Sequence, residues 1–374
     1  MVKMLSNRNW LTVLIPLKKD SHPYLKLLYE EIEKYSEQYA IKVLYSDGVW
    51  CFNFIKKVLN AKVIHLHWIE QIIRSRNLTL SFLKFLGIIL LLLLLKIQKK
   101  VIVITLHNIR FHEKVYAKLE EVWFRLILGI ADAIIVHNNY SLNVLTRYDQ
   151  QLRDKIYVIP HGNFVGYYPN DITQKKARKI LGIPEESIVM LYFGQMRDYK
   201  GVDDLIAVFN DLLKEDNNLI LIICGKTLDE KTRTKLLEFG KRFQRKCIMR
   251  LGYIPDDEVQ IYMNASDIGI LPYKEVTTSG ALILFQSFAR TVIAPDLPPI
   301  KEVLGDAGIY FKRGDREDMK ASIIRTLNLD KKRLRNLGQR AFVRISKLDW
   351  DKIARATLKV YLSLISRYCS NQEN

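Results

Sequence analysis

The chain is poor in cysteine and short of acid. Four cysteines, Cys51, Cys224, Cys247 and Cys369, are scattered through 374 residues. None forms a CxxC pair or joins histidines at zinc-ligand spacing, which leaves no basis for a disulfide framework or a structural metal. A reducing, cytosolic compartment is the simplest setting. No continuous apolar region followed by small residues opens the sequence, so no secretory signal is expected. No internal repeat of solenoid or propeller period is visible. RNP-like, KH and helix-turn-helix signatures are also missing, so nucleic acid is not the expected partner. Acidic residues number 40 against 58 Lys and Arg, a net charge of +18. The stretch ending at Phe164 carries +10 and the remainder +8, so the excess is spread and is not a tail. It implies attraction to a nucleotide diphosphate, a nucleic acid or an acidic lipid, or else ordinary solubility.

What the chain does have is apolar content, 49%, enough for sizeable cores. Strand-like runs alternate with helical patterns throughout. In the first half they are Trp10–Leu17, Ala40–Tyr45, Val63–His67, Val101–Leu106 and Ala133–His137. In the second half they are Ile188–Phe193, Leu219–Cys224, Ile248–Leu251, Ile268–Pro272, Val292–Ala294 and Gly308–Phe311. Helical patterns such as Tyr24–Tyr39 and Val202–Lys214 lie between them. This predicts an α/β protein with two doubly wound parallel sheets. The Pro-, Gly- and Asn-bearing stretch 159–171 is the expected junction.

The segment 189–207, VMLYFGQMRDYKGVDDLIA, reads as strand, loop and helix start. Gly194, Arg197, Lys200 and Gly201 place backbone N–H groups, a helix-dipole end and two cations at one spot, which suits a diphosphate. Ligands of parallel α/β sheets bind beyond the carboxyl ends of strands. There stand Gly225 and Lys226, then Gly252, Tyr253 and Ile254, then the stretch 272–281. In that stretch Glu275, Thr278, Ser279, Gly280 and Ala281 offer a carboxylate, hydroxyls and N–H groups to sugar and phosphate oxygens. Thr278 or Ser279 also serves as an N-cap candidate. Four histidines, His67, His107, His137 and His161, fall at strand ends or the junction, either as structural residues or as a convergent set. The His107/His112 spacing, next to Glu113, matches no tight metal pair. The run 78–95, LTLSFLKFLGIILLLLLL, is broken by Lys84 and flanked by Arg74, Arg76, Lys96, Lys99 and Lys100. It is read as a helix lying on an anionic leaflet, with a buried sheet-packing helix and a membrane span as alternatives.

Taken together, TLHN (105–108), VIPHGN (158–163), YFGQMRDYKGVDDLI (192–206), ICGK (223–226), LGYIPDDEV (251–259), YMNASDIGILPY (262–273), TTSGALI (277–283) and VIAPDLPPIKEV (292–303) resemble the GT-B-fold retaining glycosyltransferases of family 4. The resemblance runs over nearly the whole chain. It implies two Rossmann-like domains facing a central cleft: 1–165 on the acceptor side with a membrane-associating helix near 78–96, 166–350 holding the nucleotide sugar, and a C-terminal helix, 351–374, packing back on the first domain. It implies transfer of a hexose from a nucleotide-diphosphate sugar to a glycan, with retention and without a metal or other cofactor; the apolar segment 85–95 and the basic residues around it point to a lipid-linked acceptor of a cell-surface polysaccharide. The enzyme would sit peripherally on the inner face of the plasma membrane. Lys200 matches the diphosphate lysine, Gly194 the glycine of its loop, Ile254 the nucleobase contact, His107 the donor-sugar histidine and Glu302 the acidic residue after VIAP. Gln195 replaces the usual arginine, with Arg197 able to supply its charge. The E-x7-E carboxylates are absent, their slots falling near Val276 and Leu284. The glycine pair after the first strand is replaced by KKDSHP (18–23). Competing readings are a nucleic-acid-binding protein and an inactive scaffold of the same fold.

Overall fold

The computed structural model describes residues 10–109, 115–215 and 218–370. The His112-Glu113 pair considered above lies outside the described residues. The chain divides into two compact units, residues 1–162 with 348–374, and residues 163–347. Local packing explains these divisions. The Trp350 indole sits where a Cβ on Gly162 would stand, 2.4 Å from it, so the returning chain joins the first unit as its last helix begins. The Phe164 amide donates to Ser287 Oγ (3.0 Å), which ties the chain just past 162 to the second unit.

The first unit holds six parallel strands in the order β2-β1-β3-β4-β5-β6. They are β1 (Leu11–Ile15), β2 (Ile41–Tyr45), β3 (Val63–His67), β4 (Val101–Leu106), β5 (Ala133–Val136) and β6 (Ile156–Val158). The short β6, just before the junction, is not among the expected runs. Both faces are covered, so every second residue enters a different core. Leu14, Ile64, Ile102, Ile104 and Ile134 pack with the helices Phe52–Val58, Leu78–Ile97 and Ala117–Ile130. Val13, Val63, Val101, Val103 and Ile135 pack on the other face with Pro23–Glu33 and Trp350–Ser370. The helical pattern Tyr24–Tyr39 is two helices, Pro23–Glu33 and Ser36–Tyr39.

The Leu78–Ile97 helix starts where Asn77 caps the Leu80 amide (2.9 Å) and stops at Lys99, whose φ is 58°. Its buried stripe, Ser81, Phe85, Ile88, Leu92 and Leu95, follows helical spacing and packs into the core of the unit. The helix is therefore anchored to the sheet along one side and is not fully buried.

The second unit holds β7 (Ile188–Phe193), β8 (Leu219–Gly225), β9 (Cys247–Leu251), β10 (Ile268–Ile270), β11 (Thr291–Pro295) and β12 (Gly308–Phe311), again all parallel. Their order is β12-β11-β10-β7-β8-β9. The chain winds outward from β7 to β9 and then restarts beside β7 at β10. The ends of β7 and β10 thus flank the topological switch point, where open α/β sheets bind ligands.

Candidate functional site

In the second unit, three glycines stand at the ends of adjacent strands. Gly194, Gly225 and Gly252 have φ of 134°, 137° and 147°, the region that disfavours side chains. Backbone bonds tie them in sequence: Gly194 donates to the Cys224 carbonyl, and Gly252 to that of Gly225, both at 2.9 Å. A Cβ on Gly225 would lie 1.9 Å from the Gly194 oxygen, so only glycine permits this approach. Gly194 faces Ala281, at 3.9 Å from its own Cβ position. Ala281 belongs to the first turn of the Gly280–Ser287 helix, capped by Ser279 Oγ accepting from the Leu282 amide (3.1 Å). A glycine row and a helix N-terminus thus share one place, where N–H groups favour an anion.

The loop after β7 completes it. Gly201 (φ 67°) lies against the Pro272 carbonyl, 1.9 Å from where its Cβ would be, and the Lys274 amide donates to the Tyr199 carbonyl (2.8 Å). The β7 and β10 loops are thereby clamped together. The clamp sets Lys200 Nζ 3.8 Å above the centroid of the Tyr273 ring and 5.3 Å from that of Tyr199. No carboxylate lies within ion-pair reach of it among the described residues. Burial, and secondarily the Arg197 charge, hold the Lys200 ammonium down at about 7. A half-buried cation resting on aromatic faces without a counter-ion is suited to accept an anionic ligand.

Arg197 caps the turn that carries Lys200, and its guanidinium reaches Gln195 Oε1 (3.4 Å). Tyr253 is 75% exposed, and Ile254 is buried just beyond β9. Glu275 is exposed on the β10 loop. Thr278 Oγ1 is shielded from solvent with no hydrogen-bond partner. Glu302 stands on the Pro298–Leu304 helix beyond β11, where its backbone carbonyl accepts from Arg344 (2.8 Å). Gly194, Lys200, Gly225, Ser279, Gly280 and Ala281 therefore form the inner set, with Tyr253, Ile254, Glu275 and Glu302 on loops or helices outside it. Tyr273, the platform under Lys200, is the residue sequence reasoning missed. Its place in the 272–281 stretch was visible, but not its contact with Lys200.

The first unit gathers six histidines on one sheet face. Register sets this up: His65 lies opposite Val103 and His67 opposite Thr105, all facing the Pro23–Glu33 side. His67 Nδ1 meets His107 Nε2 (3.2 Å), His107 Nδ1 meets His137 Nε2 (3.2 Å), and His137 Nδ1 meets the Ile159 carbonyl (3.0 Å). A carbonyl only accepts, so His137 carries its proton on Nδ1. With every ring neutral, His107 then donates from Nδ1, His67 donates to His107 from Nδ1, and the Tyr29 hydroxyl donates to His67 Nε2 (2.8 Å). Desolvation keeps the rings neutral. It lowers His137 and His22 to about 4, and His65 and His161 to about 3. His67 and His107 lie well below the usual range, through burial and then neighbouring imidazoles. Trp68, at φ 45°, stacks on His107 with ring centroids 4.3 Å apart. Tyr24 meets His107 edge-on at 4.8 Å. Both nitrogens of His107 are thus committed within its own unit. The hydrogen bond to a sugar hydroxyl expected of it has no free nitrogen to use.

Two parallel six-stranded sheets of Rossmann type, with an anion-suited end on the second, define the class as a GT-B fold. Residues 173–344 match the family model described as glycosyl transferases group 1. The chain is similar to the GDP-mannose:glycolipid 4-beta-D-mannosyltransferase of Xanthomonas campestris pv. campestris, at 26% identity over 365 residues, covering 96% of this chain and 93% of that protein. Among solved structures it resembles sucrose-phosphate synthase from Thermosynechococcus elongatus (TM-score 0.70, 15% identity, 95% of this chain and 99% of that one). It also resembles HepE of Anabaena, solved with UDP and glucose (TM-score 0.69, 16% identity, 94% and 99%). At these identities the two structures speak for the fold alone. The chain is a glycosyltransferase, and its residues 173–344 are of the group 1 type.

Proposed function

We propose that this enzyme transfers a hexose from a nucleotide-diphosphate sugar to a lipid-linked glycan in the synthesis of a cell-surface polysaccharide. The observation that carries the reading is Lys200: a half-buried ammonium without a carboxylate partner, at the switch point, beside a glycine row and a helix start. The diphosphate would lie there, with Lys200, Arg197 and the N–H groups near Gly280 and Ala281 stabilising charge as it leaves. The bond from the anomeric carbon to the phosphate oxygen breaks, and its electron pair stays on the diphosphate. The acceptor hydroxyl bonds to the anomeric carbon, and its proton passes to the departing phosphate. This assigns charge neutralisation to protein cations and calls for no metal ion. Ile254 and Tyr253 would border the base, and Glu275, Thr278 and Glu302 the sugars. His107 is retained as a ring that shapes its strand end.

The glycolipid named for the Xanthomonas relative supports a lipid-borne acceptor, reached from the inner face of the plasma membrane through the Leu78–Ile97 helix. The family resemblance supports retention. Inversion is a second reading, favoured by the β linkage in that relative's name, because hexose nucleotide donors such as GDP-mannose are α-linked.

A thermal-shift screen against UDP-, GDP-, ADP- and dTDP-sugars tests the donor, since a bound ligand raises the melting temperature by mass action. One nucleotide class is expected to shift it. NMR of the purified product then assigns the new anomeric bond and separates retention from inversion. No shift by any donor, together with no donor hydrolysis or transfer, would leave an inactive scaffold.

A further inference from the structure

The Leu78–Ile97 helix has an unusual outer face. A helix packed on a sheet carries a polar stripe opposite its core stripe. Here the outer stripe includes Phe82, Leu83, Leu86, Leu90, Leu93 and Ile97, with Leu90 60% and Ile97 77% exposed. It is not alone. The neighbouring Phe52–Val58 helix buries Phe54 and Val58 in the same core and turns Phe52 (71% exposed) and Ile55 outward, followed by Leu59 (61%).

Two contacts join the helices into one surface. The Trp50 ring lies 3.0 Å from where a Cβ on Gly87 would stand, and its indole donates to the Ile72 carbonyl (3.0 Å). Lys100 donates to the Leu59 carbonyl (2.7 Å), fastening the ends of the two helices together. Gly87 makes room for Trp50, which is itself half-exposed between the two helices. Charge completes the picture. Residues 48–109 contain nine Lys or Arg and one acid, Glu70. Arg74 is paired with Glu120 and Lys96 with Asp132, while Lys56 stands over the Phe52 ring; the stretch stays basic, so its apolar face fits acyl chains below and anionic headgroups around.

We propose that the outer sides of the Phe52–Val58 and Leu78–Ile97 helices form one two-helix platform that seats the enzyme on an anionic lipid bilayer. This deepens the membrane reading above by naming a second helix as an equal part of the contact. One helix alone, about five and a half turns long, would leave Phe52, Ile55 and Leu59 in water beside the surface.

The test is flotation of the full chain with vesicles of phosphatidylglycerol and phosphatidylcholine, and with phosphatidylcholine alone. Wild type is expected to float with the mixed vesicles, less so with phosphatidylcholine alone or at high salt. The Phe52→Ser/Ile55→Ser/Leu59→Ser variant, with the longer helix intact, is expected to lose about tenfold or more in partitioning. Its circular-dichroism melt should stay near wild type. The single variant Phe52→Ser, at the most exposed site, is expected to show part of the same loss and guards against misfolding of the triple variant. Unchanged flotation of both folded variants, or flotation indifferent to anionic lipid, overturns the proposal. So does a self-associated chain that these substitutions dissociate without any vesicle binding. Donor hydrolysis in detergent is measured alongside: its absence in wild type would count against the transferase reading and leave the platform standing.

Discussion

Lys200 is the residue on which the chemistry turns. Its folded value of about 7 lies below the ordinary 10.5. Between those limits the unfolded chain holds a proton that the folded, ligand-free protein lacks, so this group makes stability rise with pH through that window. Its charged form is a liability until an anion arrives, and Lys200→Met should melt at or above the wild-type temperature below pH 7. A bound diphosphate favours the ammonium. Donor binding at pH 8 should therefore take up close to one proton, measured by calorimetry in two buffers of different ionisation enthalpy. Binding without proton uptake would show that the diphosphate does not meet Lys200. His107 teaches the opposite lesson. It stands at a strand end where a ligand group is expected, yet both its nitrogens serve a chain that ends on the Ile159 carbonyl.

At the scale of elements, the clamp between the β7 and β10 loops positions that lysine. A Cβ on Gly201 would strike a backbone carbonyl that cannot swing aside. Gly201→Ala should lose about 2–3 kcal/mol in urea unfolding. Gly166→Ala, with φ of 76° but open space around it, should lose only about 1 kcal/mol. Equal losses would mean that the close approach is unimportant. Most strands were legible in the sequence because buried parallel strands are plain apolar runs, and Val63–His67, Val101–Leu106 and Gly308–Phe311 match to the residue. The strand β6 was not, since three residues beside a Pro-Gly stretch give no period. Gly194 and Lys200 were legible from the local strand-loop-helix pattern. Tyr273 was not tied to Lys200, because their contact depends on β10 returning beside β7. The imidazole chain was half legible: strand-end histidines could be seen, but the inclusion of His65 and His22 needs the register of β3 on β4 and the fold-back of the Pro23–Glu33 helix.

At the scale of the molecule, the two units respond to acid differently. The first holds six depressed histidines, so unfolding it below the ordinary 6.5 takes up protons. Its stability is full above about 6.5 and falls as pH drops toward about 4. All five tryptophans, Trp10, Trp50, Trp68, Trp123 and Trp350, belong to that unit, so their fluorescence reports it selectively. A red shift of emission between pH 6 and pH 4 is expected, and native emission persisting to pH 3 would contradict the buried neutral chain.

The most direct test of the account is calorimetric titration of the nucleoside diphosphate that the donor screen selects into wild type and Lys200→Met at pH 7. The account predicts measurable binding to wild type and affinity lower by about a hundredfold in the variant, with the ligand-free fold intact. Equal affinity in the two proteins would contradict it.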